Sequence, residues 1–192
     1  MAKQEIRSLA RVPEIRAVDD EARTIEGYAA VFNSPTVIAE SFVEQIAPGA
    51  FDGVLGDDVR VLFNHDPSLL LGRTRSGTAT VEVDEVGLRY RVMLPETTLG
   101  ADVHTLTQRG DLDGSSFAFT IAEDEWAAGE EGTLPTRTIT RLATLNDVSP
   151  VTTPAYESTT AEARAAAAHA TGPDTGTATA RRRSQLARNV IS

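Results

Sequence analysis

The chain has 192 residues, with 28 acidic against 18 basic side chains and no cysteine. That is enough for one domain with a real core plus a tail, and it removes disulfides, thiol nucleophiles and cysteine-ligated zinc together. The charge is uneven, because residues 161–192 carry five arginines against Glu162 and Asp174, and the acidic remainder argues against direct contact with nucleic acid.

No stretch approaches the roughly 20 apolar residues of a membrane span. Met1 to Arg16 lacks a continuous apolar segment ahead of a cleavage site. The expectation is a cytoplasmic protein without membrane contact. Residues 1–23 read as an N-terminal arm, in which Ile6, Val12 and Ile15 could join an edge strand. Thr24 to Phe32 reads as a strand ended by Asn33-Ser34-Pro35. Phe42 to Ile46 is a second short strand, and Pro48-Gly49-Ala50-Phe51 has the look of a brief helix, since proline suits a first helical turn.

Val59 to Phe63 is a short apolar run, read as a buried strand. Pro67 has no N–H to offer a ladder, so His65 falls where the strand stops and a loop begins. Thr78 to Asp84 and Leu88 to Leu94 form a hairpin across Glu85-Val86-Gly87, with Leu88, Tyr90, Val92 and Leu94 on one face. Thr97 or Thr98 caps a helix to Arg109, with Leu99, Val103 and Leu106 as its apolar stripe and Gly110 as its stop. His104, at the edge of that stripe, reads as partly exposed.

From Gly114 the chain alternates. Ser115, Phe117, Phe119 and Ile121 share one strand face, and Ser116, Ala118 and Thr120 the other. The first face suits a core. The second is small and lightly polar, with room for a substrate chain. Glu123 to Thr133, which holds the sole tryptophan, Trp126, reads as a surface connection. Arg137 to Leu145 is a strand continued by Asn146 to Val151. Thr159-x-x-Glu162 is a capping box before the alanine run 161–170. Residues 171–192 form a linker and a flexible basic tail, which leaves residues 24–170 as the main domain. About eight short strands with one or two helices suggest a mainly-β barrel or sandwich with peripheral helices.

A hydroxyl nucleophile needs a base, and the base needs an orienting acceptor. With only His65, His104 and His169 in the chain, the search for a base is short. Ser116 lies at a strand start, His65 at a strand end and Asp147 near the end of another strand, all places where ladders hold side chains beside open loops. The same residues allow plainer roles. Ser116 could cap a turn, His65 could sit beside a turn built by Asn64 or Asp66, and Asp147 could be an ordinary ladder-end carboxylate. A metal-dependent hydrolase is a further alternative, but His65 and Asp66 lack a ligand spacing such as H-E-x-x-H.

Taken in order, several segments form a pattern. They are Gly27-Tyr28-Ala29-Ala30-Val31-Phe32-Asn33, Ile46-Ala47-Pro48-Gly49-Ala50-Phe51, Asn64-His65-Asp66, Leu71-Gly72-Arg73-Thr74, Ser76-Gly77-Thr78, Arg109-Gly110-Asp111-Leu112, Ser116-Phe117-Ala118-Phe119, Asp147-Val148-Ser149-Pro150-Val151-Thr152 and Pro154-Ala155-Tyr156. Over roughly residues 25–165 the chain resembles the prohead maturation proteases of tailed phages, of the Hong Kong 97-like capsid lineage. The resemblance implies a serine endopeptidase with a closed β-barrel flanked by helices, as in the herpesvirus assembly protease. It implies His65 as base, Ser116 as nucleophile and Asp147 as third member; family members often carry glutamate there, and the herpesvirus enzymes use a second histidine. No cofactor is implied. The implied partners are the major capsid protein with its scaffolding segment and the protease itself, through self-cleavage of the tail, inside the assembling prohead in the host cytoplasm. A homodimer or higher oligomer would be compatible with this. The competing class is a non-catalytic capsid-assembly or scaffolding protein with the same barrel.

Overall fold

The computed structural model describes residues 3–8, 15–130 and 132–152. Eleven strands and one helix follow in order: β1 (Glu5–Ser8), β2 (Arg16–Asp19), β3 (Thr24–Val31), β4 (Thr36–Ile38), β5 (Phe42–Ile46), β6 (Arg60–Phe63), β7 (Asp66–Arg73), β8 (Ala79–Val83), β9 (Gly87–Met93), α1 (Thr98–Arg109), β10 (Gly114–Ala127) and β11 (Thr136–Val151). The expected helix 161–170, His169 and the basic tail lie outside the described residues.

The strands form two sheets. In the larger, seven-stranded sheet the order is β1-β10-β11-β5-β4, with β6 on β11 and β7 on β6; the smaller runs β2-β3-β9-β8. No closed barrel is found among the described residues, which corrects that part of the expectation. Closure requires end strands to pair with one another. Here β1, β4 and β7 end the large sheet, and β2 and β8 end the small one. The two sheets instead enclose one core, to which β3 and β9 bring Ile25, Leu88, Tyr90 and Val92, and β10 and β11 bring Phe117, Phe119, Leu145 and Val148.

That core follows from strand periodicity. Leu88, Tyr90 and Val92 on β9 and Leu94 just beyond it are buried, as are Phe117 and Phe119 on β10. The rings of Phe117 and Phe119 stack at 4.6 Å, and truncating either to alanine is expected to cost about 3–5 kcal/mol. Gly87 opens β9 where the chain closes on β3; a Cβ there would lie 2.0 Å from the Ala30 carbonyl oxygen.

Helix α1 begins and ends where its caps predict. Thr97 accepts from the Gly100 amide, and Gly110 turns left-handed at φ 75°. Its buried face, however, is Gly100, Val103, His104 and Thr107, so the apolar stripe is rotated toward His104. That histidine is buried rather than partly exposed.

Three further expectations are corrected. Residues 47–54 form successive turns, with Asp52 N–H on the Gly49 carbonyl and Val54 N–H on that of Phe51; left-handed Gly49, at φ 87°, prevents an α-helix. Pro67 lies inside β7, not beyond a ladder. The strand is an edge, and its register jumps from Asp66 to Leu70, so Pro67 has no ladder bond to make. Finally, β10 runs through Trp126 to Ala127 instead of ending in a surface connection. Its acidic residues face cross-strand arginines, Glu123 to Arg141 and Asp124 to Arg137, and Trp126 packs on Phe42 at 5.2 Å.

Candidate active site

β10 and β11 are the scaffold. Ser116 pairs with Ser149 and Ala118 with Asp147. Because side chains alternate along a strand, Ser116, Ala118, Asp147 and Ser149 share one face. Asp147 pairs with Ala118 but Leu145 with Phe119, so Asn146 is an extra residue. This bulge directly precedes the carboxylate, and bulges commonly re-aim a side chain.

The third strand brings the imidazole. β6 lies parallel to β11, with Asp147 opposite Arg60 and Val148 opposite Val61. It then reverses through Asn64 and His65, both left-handed at φ 53° and 57°, the geometry of a two-residue hairpin turn. Asparagine tolerates that region; histidine there costs on the order of 1 kcal/mol. Asn64 holds the turn in place. Its amide donates to the Pro150 carbonyl at 3.1 Å, and its side-chain oxygen accepts from the Thr152 amide at 3.0 Å. The end of β6 is thereby clamped to the end of β11.

His65 lies over the shared face. Its Nδ1 is 2.6 Å from Asp147 Oδ1, and its Nε2 is 2.6 Å from Ser116 Oγ. A carboxylate only accepts, so Nδ1 carries the hydrogen and Nε2 is left to accept from the serine. The structure thus brings together all three residues singled out in the sequence, although they come from β10, β11 and the turn between β6 and β7. Ser116 is fully buried, and the His65 side chain is 15% exposed. The face read as open to a substrate chain is closed here: Ser116 and Ala118 are both fully buried.

Ser149 was missed. It is fully buried, and its hydroxyl donates to Asp147 Oδ1 at 3.0 Å and lies 3.2 Å from His65 Nδ1. Its position two residues from Asp147 on a strand was the signal that could have found it. Next door, Ser115 shares a hydrogen bond with Tyr90 at 3.1 Å. Burial drives the Tyr90 phenol's pKa far upward, against a smaller opposing effect of the Ser115 hydrogen bond, so it remains a neutral partner. The other described histidine is not part of the site. His104 Nε2 has no hydrogen-bond partner; Asp20 Oδ1 is 3.7 Å away.

This arrangement can move one proton from a hydroxyl to an imidazole whose other nitrogen faces a carboxylate. Residues 12–172 match the caudovirus prohead serine protease family. The chain belongs to that family. The prohead protease of Enterobacteria phage HK97 is 33% identical over 150 residues, covering 75% of this chain and 61% of that protein. The chain thus matches under two thirds of the relative's length. No solved structure matches the chain.

Proposed function

We propose that the chain is a serine endopeptidase of phage capsid maturation, with Ser116 as nucleophile, His65 as general base and Asp147 as the group that orients His65. The observation that carries the reading is the unbroken line from Ser116 Oγ through both ring nitrogens of His65 to Asp147 Oδ1, each step 2.6 Å. His65 Nε2 takes the Ser116 proton as Oγ bonds to a peptide carbonyl carbon. The same proton passes to the departing amine as the C–N bond breaks, and water then cleaves the acyl-enzyme to regenerate the alcohol. Asp147 stays ionised and stabilises the imidazolium, with Ser149 donating to its oxygen.

The substrates in this reading are the scaffolding segment of the major capsid protein and the protease itself, inside the prohead in the host. Family membership supports this, as does the relative's name. The basic segment beyond residue 171 is the proposed site of self-cleavage. Co-expression with the cognate capsid protein tests the reading. Trimming of the capsid protein by the parent chain, and none by His65→Ala or Ser116→Ala, is the expected result. Equal trimming by parent and variants overturns it. Intact mass reads the tail in the same samples: it is shortened in the parent and full-length in Ser116→Ala, and a full-length tail in both ends the self-cleavage proposal.

A further inference from the structure

Ser116 is buried because another part of the chain lies on it. β1 pairs antiparallel with the outer edge of β10, with Ser8 opposite Ser116 and Arg7 opposite Phe117. The Arg7 carbonyl oxygen is 2.9 Å from Ser116 Oγ. A serine hydroxyl has one hydrogen. When Ser116 donates it to the Arg7 carbonyl it cannot also donate to His65 Nε2, so the docked β1 competes with the base for the proton.

The Arg7 side chain is as well housed as its backbone. It is buried, with Nε 2.5 Å from Glu44 Oε1 and a second nitrogen 3.2 Å from Oε2. Its guanidinium lies 6.0 Å from the centre of the Phe119 ring. Glu44 is buried too, on β5. The receiving pocket therefore combines a fixed carboxylate and an aromatic face, which suit a cation. Arg137 also reaches Glu44, at 3.2 Å, and shares Glu5 with Arg7.

An extended segment on an open sheet edge, with its backbone in a ladder and one side chain in a pocket, is how many peptide-binding proteins take their ligands. We propose that β1 occupies the substrate's place: a peptide substrate adds antiparallel to the β10 edge after displacing β1, and the residue whose carbonyl meets Ser116 carries a basic side chain received by Glu44. This rests on the catalytic reading above and adds the strand site, the residue that selects for charge, and a closed state in which the chain's own segment fills the site.

The test separates binding from hydrolysis. The probe is a fluorescent peptide copying residues 3–8, titrated into full-length chains that all carry Ser116→Ala. With Arg7 intact, β1 holds the edge and binding is weak. Adding Arg7→Glu sets a carboxylate against Glu44, vacates the edge and tightens peptide binding at least tenfold. The same peptide with glutamate in place of arginine binds at least tenfold more weakly than the parent peptide, and Glu44→Gln removes most of that difference. Arg7→Ala repeats the experiment without a buried like-charge pair, should Arg7→Glu not fold. Equal peptide binding with and without the Arg7 substitution, or indifference to the peptide's charge, overturns the proposal. A parallel arm uses the Arg7→Glu chain with Ser116 intact (or Arg7→Ala, should the former not fold) and a peptide mixture, with products read by mass. Cleavage after arginine and lysine at least tenfold above cleavage after acidic residues supports it, and no such preference overturns it. Tight, charge-dependent binding without any hydrolysis by the Arg7 variant that retains Ser116 would instead sink the catalytic reading and leave the strand site standing.

Discussion

Each sheet buries one carboxylate of particular interest, and the two are held differently. Glu26, on β3 of the small sheet, faces two guanidinium groups: Arg89 at 2.5 Å, and Arg16 at 2.6 and 2.9 Å. Asp147, on β11 of the large sheet, faces an imidazole at 2.6 Å and a serine hydroxyl at 3.0 Å. Arginine keeps its charge at any ordinary pH, so near neutrality the Glu26 cluster has one electrostatic state and nothing to transmit. The partner of Asp147 can gain and lose a proton, so the attraction between them strengthens when His65 is protonated. Equal burial therefore says little about role; what matters is whether the partner's charge can change.

The contrast breaks most sharply at the imidazole. In the proposed mechanism, His65→Ala or Ser116→Ala lowers peptide hydrolysis about 10,000-fold or more while the melting temperature stays close to the parent's. Residual activity within tenfold of the parent would remove both from the mechanism. Asp147→Asn keeps the shape of the carboxylate but not its charge. It is expected to reduce kcat about 1,000-fold, since neither the imidazolium nor the required tautomer is then favoured. Ser149→Ala removes one hydrogen bond to the carboxylate and leaves the main pair intact, so a loss of about tenfold is expected. In the small sheet, Glu26→Gln leaves hydrolysis unchanged but lowers unfolding free energy by about 1 kcal/mol, because its arginine partners remain partly hydrated. Urea melts and peptide assays on the same preparations read both effects. A Glu26→Gln variant that loses activity while folded would erase the distinction.

Local signals carried much of this in the sequence. The alternation of Leu88, Tyr90, Val92 and Leu94 gave β9, and Thr97 with Gly110 gave the ends of α1, because caps and periodicity act within a few residues. His65, Ser116 and Asp147 could be picked out because histidines are few and because their neighbours match a family pattern. What could not be read depends on partners distant in the chain. Glu123 and Asp124 look like a solvated acidic run until Arg141 and Arg137 lie opposite them. Pro67 looks like a strand breaker until β7 proves to be an edge. His104 looks half-exposed until the packing of α1 against β2, β3 and β7 is known. The lid on Ser116 was hidden for the same reason, since nothing local in Glu5–Ser8 says which edge it will join.

The smallest expected effect concerns the pH dependence of the Glu26 cluster. Burial by itself raises this carboxyl's pKa; hydrogen bonds from Arg89 and Arg16 outweigh it and hold the group below the ordinary carboxylate range. A carboxyl whose folded pKa is depressed adds stability that is fully present above its unfolded pKa and is lost as pH falls through the folded one. The difference in unfolding free energy between the parent chain and Glu26→Gln should therefore be largest near neutrality and shrink toward zero as the solution is acidified below the ordinary carboxylate range. Urea midpoints of the two chains across that interval measure it directly. A gap that stays constant into strong acid would mean that Glu26 contributes through packing rather than charge. The small sheet would then offer no fixed-charge reference against which to judge Asp147.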